Sequence, residues 1–204
     1  MLEIILMDEL IPISQTMLKD ASITCAESFM DDGYTAYSIP DVTKRANLRY
    51  GFEYYLRQSL LGGASIYSTS PACEGVAVWQ DSLKKEPLGA WLRADPWLPF
   101  RCGLTYVIRE FRLNRQVKHY KKRYAPRHHI YLALLAVRPQ SQGQGHGRRL
   151  LKKLVEELER VKLPCYLETQ NLKNVAMYER FGFKLAGEAV VTRANLPLYF
   201  MLRE

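Results

Sequence analysis

The sequence predicts an α/β fold with a mixed central sheet and flanking helices. Its clearest element is the apolar run 130–137, which stops at Arg138-Pro139 and leads through a glycine-rich loop into leucines at helical spacing. A second apolar run at 163–168 follows that helix, and the order strand, helix, strand implies a parallel crossover. Runs at 64–79 and 183–202 predict two antiparallel hairpins, so the sheet contains both strand directions.

Composition predicts a single globular domain over residues 1–204. The chain has 48% hydrophobic and 25% charged residues, as soluble globular proteins do, and its length allows one substantial core. Asp8 and Glu9 interrupt the first apolar run, and no basic segment precedes it, so we expect no signal peptide. The sequence contains no run of about 18 apolar residues, so we expect no membrane-spanning helix. The four cysteines are far apart without metal-ligand spacing, which fits a reduced, cytoplasmic setting.

The first half of the chain predicts helices around one hairpin. In chain order we expect a weak strand over 1–10, helices over 13–29 and 41–61, and hairpin strands over 64–69 and 75–79. A loop over 91–100 and a third helix over 102–124 follow. The helices carry apolar residues three and four positions apart, and Gly62-Gly63 and Pro126 are stop signals. The segment predicted as a loop contains prolines and tryptophans without a regular period.

The second half predicts the parallel crossover and a last hairpin. After the strand 130–137 comes a helix that ends near Lys162, and the strand 163–168 follows it. A helix over 171–181 then has Asn171 as a candidate N-cap. The final hairpin consists of strands over 183–192 and 196–202.

Positive charge is concentrated in one segment of the chain. Residues 101–127 contain nine Lys or Arg against the single acid Glu110, whereas the remaining residues carry equal numbers of both signs. Such a stripe could bind nucleic acid or an anionic membrane. We favour a solvated helix face near an anionic cofactor, and we therefore expect neither a specific nucleic acid nor a membrane as partner.

Gly143, Gly145 and Gly147 make the loop after the first parallel strand a candidate anion site. Glycine permits the dihedral angles and the close approach that a backbone needs when its N–H groups converge on one anion. The same groups are unpaired donors at a helix N-terminus, so the loop suits a phosphate or pyrophosphate. The loop lacks the Gly-Lys-Ser/Thr of nucleoside triphosphatases, and its spacing is too short for the dinucleotide motif.

Two motifs carry a resemblance to a known family. Gln142 begins the order Gln-x-x-Gly-x-Gly after a strand that ends in Leu-Ala-Val-x-Pro, which resembles the acyl-CoA pyrophosphate loop of the GNAT superfamily of N-acyltransferases. Downstream, the run 166–171, Asn174 and the run 178–183 resemble that family's strand, asparagine, helix, tyrosine and Gly-Phe. The second motif is most similar to the branch that includes puromycin N-acetyltransferase. Together the motifs cover about residues 129–184.

The resemblance implies the GNAT-type acyltransferase fold, in which two parallel strands splay apart, and acetyl-CoA as co-substrate. Residues 128–204 would form the acetyl-CoA-binding half and residues 1–127 the acceptor-side half. The first splayed strand would hold the pantetheine arm, the loop would hold the pyrophosphate, and the asparagines would contact pantetheine or cap the helix. The cofactor-binding residues so implied are Leu135, Ala136, Val137, Gln142, Gly143, Gln144, Gly145, His146, Gly147, Arg148, Asn171 and Asn174.

Tyr178 and Glu168 are the catalytic candidates. By the resemblance, Tyr178 would protonate the leaving thiolate, although a tyrosine packed with its hydroxyl on a carbonyl fits the pattern too. Glu168 would be the base that keeps the amine neutral, or a carboxylate that only caps a neighbouring loop. Backbone N–H groups near 135–137 would stabilise the oxyanion. We interpret Cys165 as a core cysteine and His128-His129 as a loop pair without a metal.

Two functional hypotheses follow. The first is an N-acetyltransferase that moves acetyl from acetyl-CoA to an amine by direct attack in a ternary complex. The second is a non-catalytic GNAT-fold module that senses acyl-CoA or docks nucleic acid through the basic helix. We favour the enzyme, as a monomer or homodimer acting on a small-molecule primary amine with an apolar or aromatic body. Tyr34 and Tyr37 are candidates for the pocket wall, and Asp31 or Asp32 could attract a cationic amine.

Overall fold

The computed structural model describes residues 9–84 and 94–204. The strands in this part of the chain form one sheet in the order β1-β2-β3-β4-β5-β7-β6. The strands are β1 Ile11–Pro12, β2 Ser65–Ser68, β3 Gly75–Asp81, β4 Ile130–Val137, β5 Cys165–Thr169, β6 Lys184–Val191 and β7 Leu196–Arg203. The helices are α1 Leu18–Ser28, α2 Gly33–Ser38, α3 Leu48–Leu61, α4 Leu98–Cys102, α5 Leu104–Tyr124, α6 His146–Val161 and α7 Leu172–Glu179.

The mixed sheet confirms the predicted fold class. Strands β4 and β5 are parallel, but they pair only at Ile130 with Cys165 and at Tyr131 with Tyr166. Beyond these two pairs β4 continues on antiparallel β3, whereas β5 continues on antiparallel β7. The two parallel strands therefore separate toward their carboxyl ends and leave a gap between them.

A β-bulge in β4 lies where the strands separate. Val78 pairs with Leu134 and Trp79 with Leu132, so Ala133 is an extra residue on β4. Leu132 packs in the core formed with α6 and α7, whereas Leu134 packs in the core formed with α1 and α3. The bulge thus reverses which side chains of β4 point to each face of the sheet.

Helices on both faces follow the apolar periods of the sequence. Helix α6 buries the leucines at 150, 151, 154 and 158 against one face. On the other face α5 buries Leu113 and packs Val117, Tyr120 and Tyr124 against Tyr166 and Phe200 of the sheet. None of the helices in the described ranges is long and apolar enough to cross a bilayer.

Four predicted segments differ from the structure or lie partly outside the described residues. The segment predicted as a loop over 91–100 contains the start of α4, while its residues 91–93 lie outside the described residues. The predicted first strand falls mostly on residues 1–8, which also lie outside them, and β1 begins only at Ile11. The turn at Asp31-Asp32 leads directly into the short helix α2, because Asp32 caps its first turn. The predicted helix 41–61 starts with a 3₁₀ segment, Val42–Asn47.

Candidate active site

The two catalytic candidates, Tyr178 and Glu168, lie on opposite faces of the sheet. Tyr178, on α7, packs in the core between the sheet and α6 with Cys165 and Leu167. Tyr166 belongs to the core beneath α5 on the other face. Glu168 is two residues beyond Tyr166 on β5, so its side chain points to that same face. Of the two, Glu168 lies on β5 beyond its last pair with β4 and so borders the gap.

Tyr178 is a packed, neutral tyrosine. Its residue is 7% exposed, and its ring meets the ring of Phe183 edge-on with centroids 5.8 Å apart. Burial raises the pKa of Tyr178 well above that of a free tyrosine, and the neighbouring Cys165 adds to the increase. The hydroxyl therefore keeps its proton at all working pH values and is suited to donating a hydrogen bond.

Glu168 is a buried carboxylate with an unused oxygen. Its Oε1 atom is inaccessible to solvent and has no hydrogen-bond partner among the described residues. Burial raises the pKa of Glu168, while the nearby Tyr131 hydroxyl, the Lys121 ammonium and the Tyr166 hydroxyl oppose the increase. A carboxylate with a raised pKa is a stronger base than a solvated one.

Lys121 is a site residue that the sequence analysis assigned to the basic stripe. Its Nζ atom lies 3.1 Å from the centroid of the Tyr131 ring, so the side chain turns inward from α5. Burial lowers the pKa of Lys121 to about 8, and the charge of Glu168 opposes this decrease. The residue follows Leu113 and Val117 at intervals of four, and this spacing places it on the packed face of the helix.

Tyr34 completes a group of side chains on this face, which we call the Glu168 cluster: Tyr34, Lys121, Tyr131, Tyr166 and Glu168. Burial raises the pKa of Tyr34, and the charges of Glu168, Asp32 and Glu110 raise it further. The Tyr34 hydroxyl is buried without a hydrogen-bond partner in the described part of the chain, whereas the Tyr166 hydroxyl lies close enough to Glu168 to stabilise its charged form. The Tyr34 hydroxyl and Glu168 Oε1 are thus the polar atoms of the Glu168 cluster that could bind a ligand.

The structure distinguishes Asp32 from Asp31. Asp32 Oδ1 accepts hydrogen bonds from the Tyr34 backbone N–H and from Gln170 Nε2, each at 2.9 Å. The side chain of Asp31 is 92% exposed and lies 3.3 Å from Arg45 Nη1. Of the two acids proposed to attract an amine, Asp32 borders the Glu168 cluster and Asp31 faces solvent.

Tyr37 has a different position from Tyr34. Its ring packs in the core beneath α5, and the guanidinium of Arg109 lies 5.8 Å from the ring centroid. Arg109 Nη1 also donates to the Tyr37 carbonyl at 3.0 Å. Tyr37 therefore fastens α2 to α5, and the wall position predicted for both tyrosines fits Tyr34 better.

The glycine loop has the backbone geometry of an anion site. Gly143 and Gly145 have φ angles of 78° and 89°, in the left-handed region that favours glycine. A Cβ atom at either position would meet no atom within 4 Å, so the space above the loop is open. Gly145 is the N-cap of α6 and provides no side-chain cap, which leaves the first N–H groups of the helix without that partner.

The polar side chains of the loop are directed at the protein itself. Gln142 Nε2 donates to the Val137 carbonyl at 3.3 Å, and Gln144 Nε2 donates to the Gln140 carbonyl at 3.1 Å. His146 Nδ1 lies 2.7 Å from Thr69 Oγ1, in the turn between β2 and β3. Gly147 follows in the first turn of α6 and Arg148 is exposed. Backbone N–H groups are therefore the main donors that the loop presents to an anion.

The remaining predicted residues border the gap or shape its edge. Leu135, Ala136 and Val137 lie on β4 beyond the bulge, where the strand pairs with β3 and not with β5. Asn171 accepts from the Lys173 backbone N–H at 2.9 Å and caps α7, as predicted. Asn174 Nδ2 donates to Thr169 Oγ1 at 3.3 Å. Both asparagines hold the turn from β5 to α7.

Cys165 and the histidine pair have structural surroundings. Cys165 is fully buried, and burial raises its pKa to about 12, so it lacks the thiolate that a nucleophile requires. His129 Nδ1 donates to the Pro126 carbonyl at 2.6 Å, and His128 Nε2 lies 3.0 Å from Asp81 Oδ1. These contacts agree with a core cysteine and a loop pair.

Comparisons with known proteins place this geometry in a family. The family model described as the acetyltransferase (GNAT) family matches residues 78–183. An uncharacterized N-acetyltransferase of Schizosaccharomyces pombe is 25% identical over 207 residues, which cover 91% of this chain and 79% of that protein. A Corynebacterium glutamicum structure described as histone acetyltransferase HPA2 and related acetyltransferase has a TM-score of 0.66 at 22% identity, covering 95% of this chain and 94% of the other. Mosquito arylalkylamine N-acetyltransferase like 5b has a TM-score of 0.53 at 13% identity, covering 96% and 98%.

The open space above the loop predicts the effect of Gly145→Asn. Asparagine tolerates a left-handed backbone, so the loop conformation should persist while the new side chain enters the space above the α6 N-terminus. We expect acetyl-CoA affinity, measured by calorimetry, to fall about tenfold or more, which is ~1.4 kcal/mol. Gly63→Asn is the matched control, because Gly63 has a φ of 73° away from the loop. Equal affinities in the two variants would show that the loop does not hold the pyrophosphate.

Proposed function

Because the chain belongs to the acetyltransferase (GNAT) family, we propose that it transfers acetyl from acetyl-CoA to a primary amine of a small molecule by direct attack in a ternary complex. Family membership makes the chain an acetyl-CoA-dependent acyltransferase. The acceptor and the order of events are our proposal. The narrower resemblance to the puromycin N-acetyltransferase branch stays a prediction.

One observation supports the proposal: the buried Tyr178 packs on one face of the sheet, while Glu168 follows Tyr166 on β5 and points to the other face. An amine that attacks a thioester must approach the carbonyl carbon while the thiolate departs from it. The Glu168 cluster lies where the amine would enter, and Tyr178 lies where the thiolate would leave. This arrangement matches direct transfer, since neither step needs a covalent enzyme intermediate.

Each catalytic candidate has a role that its surroundings favour. Glu168 would accept the proton of the attacking amine, and its raised pKa makes it a better base. Tyr178 would donate a hydrogen bond to the departing thiolate, whose usual pKa of about 8.5 lies well below that of the buried phenol. Stabilisation of the thiolate, rather than complete proton transfer, is therefore the expected contribution of Tyr178. Backbone N–H groups of 135–137 that face the gap would stabilise the oxyanion.

Acetyl-CoA would bind along elements that the strand separation leaves unpaired. The edge of β4 from Leu135 to Val137 would receive the pantetheine amides as a further strand would. The N–H groups of Gly143, Gly145, His146 and Gly147 would hold the pyrophosphate, with Arg148 adding positive charge from its exposed position. The side chains of Gln142 and Gln144 would maintain the loop through their bonds to backbone carbonyls.

The position of helix α2 beside the Glu168 cluster favours a small acceptor. Helix α2 lies beside the cluster, and it is fastened at one end by Asp32 to Gln170 and at the other end by Ser38 to Glu110. A site beneath a helix that is bonded at both ends admits a small molecule more readily than the tail of a protein. The buried hydroxyl of Tyr34 would supply a hydrogen bond to that molecule.

Tyr178→Phe tests the proposed chemistry in an assay of amine-dependent thiol release from acetyl-CoA. The hydrogen bond to the thiolate exists mainly in the transition state, so kcat should fall by about 10²-fold or more while acetyl-CoA affinity changes little. Tyr199→Phe is a control at a tyrosine of β7 that packs in the same core. If Tyr178→Phe keeps its full kcat, Tyr178 has no part in the reaction. If the parent releases no thiol with any amine, the proposed function is wrong.

Lys121→Met tests the base through the pH dependence of kcat/KM. Activity requires ionised Glu168, and Lys121 lowers the pKa of that carboxyl. Loss of the ammonium should therefore raise the pKa of Glu168 and move the acidic limb of the profile to higher pH. Lys121→Arg should keep the limb in place, and Lys122→Met, at an exposed neighbour, should leave it unchanged. A limb that stays fixed in Lys121→Met would exclude Glu168 as the titrating base.

A further inference from the structure

Helix α5 carries apolar side chains on the side that faces away from the protein. In a helix of 3.6 residues per turn, Leu104, Ile108 and Phe111 lie within about 60° of one another around the axis. Leu104 is 65% and Phe111 is 69% exposed. Leu113, which is buried against the sheet, lies roughly opposite to them. The helix is therefore apolar on two sides, and one of these sides faces solvent.

Two aromatic residues that precede α5 enlarge this apolar surface. Trp97 and Phe100 are both exposed, and their ring centroids are 5.6 Å apart. Gly103, with a φ of 87°, is the single residue between α4 and α5. Large apolar side chains that are exposed next to one another commonly mark an interaction site. We call these five residues the outer patch: Trp97, Phe100, Leu104, Ile108 and Phe111.

Positive charge continues along the same side of α5 beyond the outer patch. The exposed cations in line with the patch are Arg115, Lys118 and Lys122. Residues 94–127 contain two acids, and both are engaged. Asp95 pairs with Arg101, and Glu110 accepts a hydrogen bond from Ser38 on the packed side of the helix. The outer side of α5 thus combines apolar side chains with uncompensated positive charge.

The charge and the shape of this surface favour one kind of partner. A second copy of the chain would bring the same cations against it, and like charges repel. Phe100 is 81% exposed, so its ring projects from the surface, and a rigid protein partner would need a matching groove. The headgroup region of a bilayer adapts to projecting side chains and accepts aromatic and leucine residues. Anionic headgroups also attract Lys and Arg.

We propose that the outer patch and the cations of α5 bind the surface of an anionic membrane. The attachment is peripheral: α5 lies in the plane of the headgroups, the outer patch enters the boundary with the acyl chains, and the opposite side of the helix stays packed on the sheet. The expectation of no membrane partner rested on the charge stripe alone, and the exposed apolar side chains change that interpretation. The inference is independent of the proposed function, because no step of acetyl transfer enters it.

Co-sedimentation of the full chain with vesicles, without acetyl-CoA, tests this inference. The anionic probe is phosphatidylcholine with about one third phosphatidylserine, and the neutral probe is phosphatidylcholine alone. The parent should bind the anionic vesicles about tenfold or more tightly than the neutral ones.

Two double variants separate the apolar contribution from general stickiness. Leu104→Ser/Phe111→Ser should weaken binding to the anionic vesicles about tenfold or more, because both side chains would enter the membrane. Leu172→Ser/Leu185→Ser is the matched control and should bind as the parent does, since it removes two exposed leucines on α7 and β6. A melting temperature within a few degrees of the parent shows that each variant is folded.

Four results would overturn the inference, and none of them affects the proposed function. The first is a parent that fails to bind anionic vesicles. The second is a Leu104→Ser/Phe111→Ser variant that binds them as tightly as the parent, since charge alone then accounts for binding. The third is a parent and serine variant that both bind mixed-sequence duplex RNA at physiological salt more tightly than vesicles, which identifies a nucleic acid as the partner. The fourth is a parent dimer that the serine variant loses, because the outer patch is then an interface between copies.

Discussion

The separation of β4 from β5 is the constraint on which the rest of the structure depends. Two parallel strands would normally continue to pair, yet here pairing stops after Tyr131 and Tyr166. Strand β4 has its extra residue Ala133 just beyond this point and stays paired with β3, while β5 stays paired with antiparallel β7. Both strands thus remain paired on one side and are open on the side that faces the gap. An open backbone edge inside a sheet is costly unless a ligand or water satisfies it, and this cost supports our proposal that the gap is a binding cleft.

The gap is surrounded by packed apolar cores and bordered by buried polar atoms without hydrogen-bond partners. Leucines of α6 and aromatic residues beneath α5 make two cores that keep the sheet rigid on both faces. Beside the gap, the buried Tyr34 hydroxyl and one oxygen of Glu168 lack partners among the described residues. An unpaired buried polar atom costs about 1–3 kcal/mol of folding free energy. Unpaired groups of this kind support the proposed binding site, because natural proteins often give up some stability where a substrate binds.

Sequence periodicity predicted the elements that are long enough to show a period. The leucine spacing predicted helix α6, the apolar run predicted strand β4, and the glycines at 143 and 145 have the left-handed backbone that glycine permits. Helix α2 was missed because six residues are too few for a periodic signal and its position depends on distant partners. Lys121 and Glu110 were counted in a charge stripe, although their spacing from Leu113 and Val117 places them on the packed face of α5. The direction of the His146 side chain depends on Thr69, which is far away in the sequence.

Amide hydrogen exchange followed by NMR, with and without CoA, tests most directly whether the gap between β4 and β5 is the CoA cleft. In the free protein, the β4 amides of 133–137 that face away from β3 should exchange rapidly for a buried strand, because they lack a neighbouring strand. Saturating CoA should slow their exchange together with that of loop amides 143–147, and should leave the hairpin of β6 and β7 unchanged. Protection of other regions without any change in β4 would contradict this account.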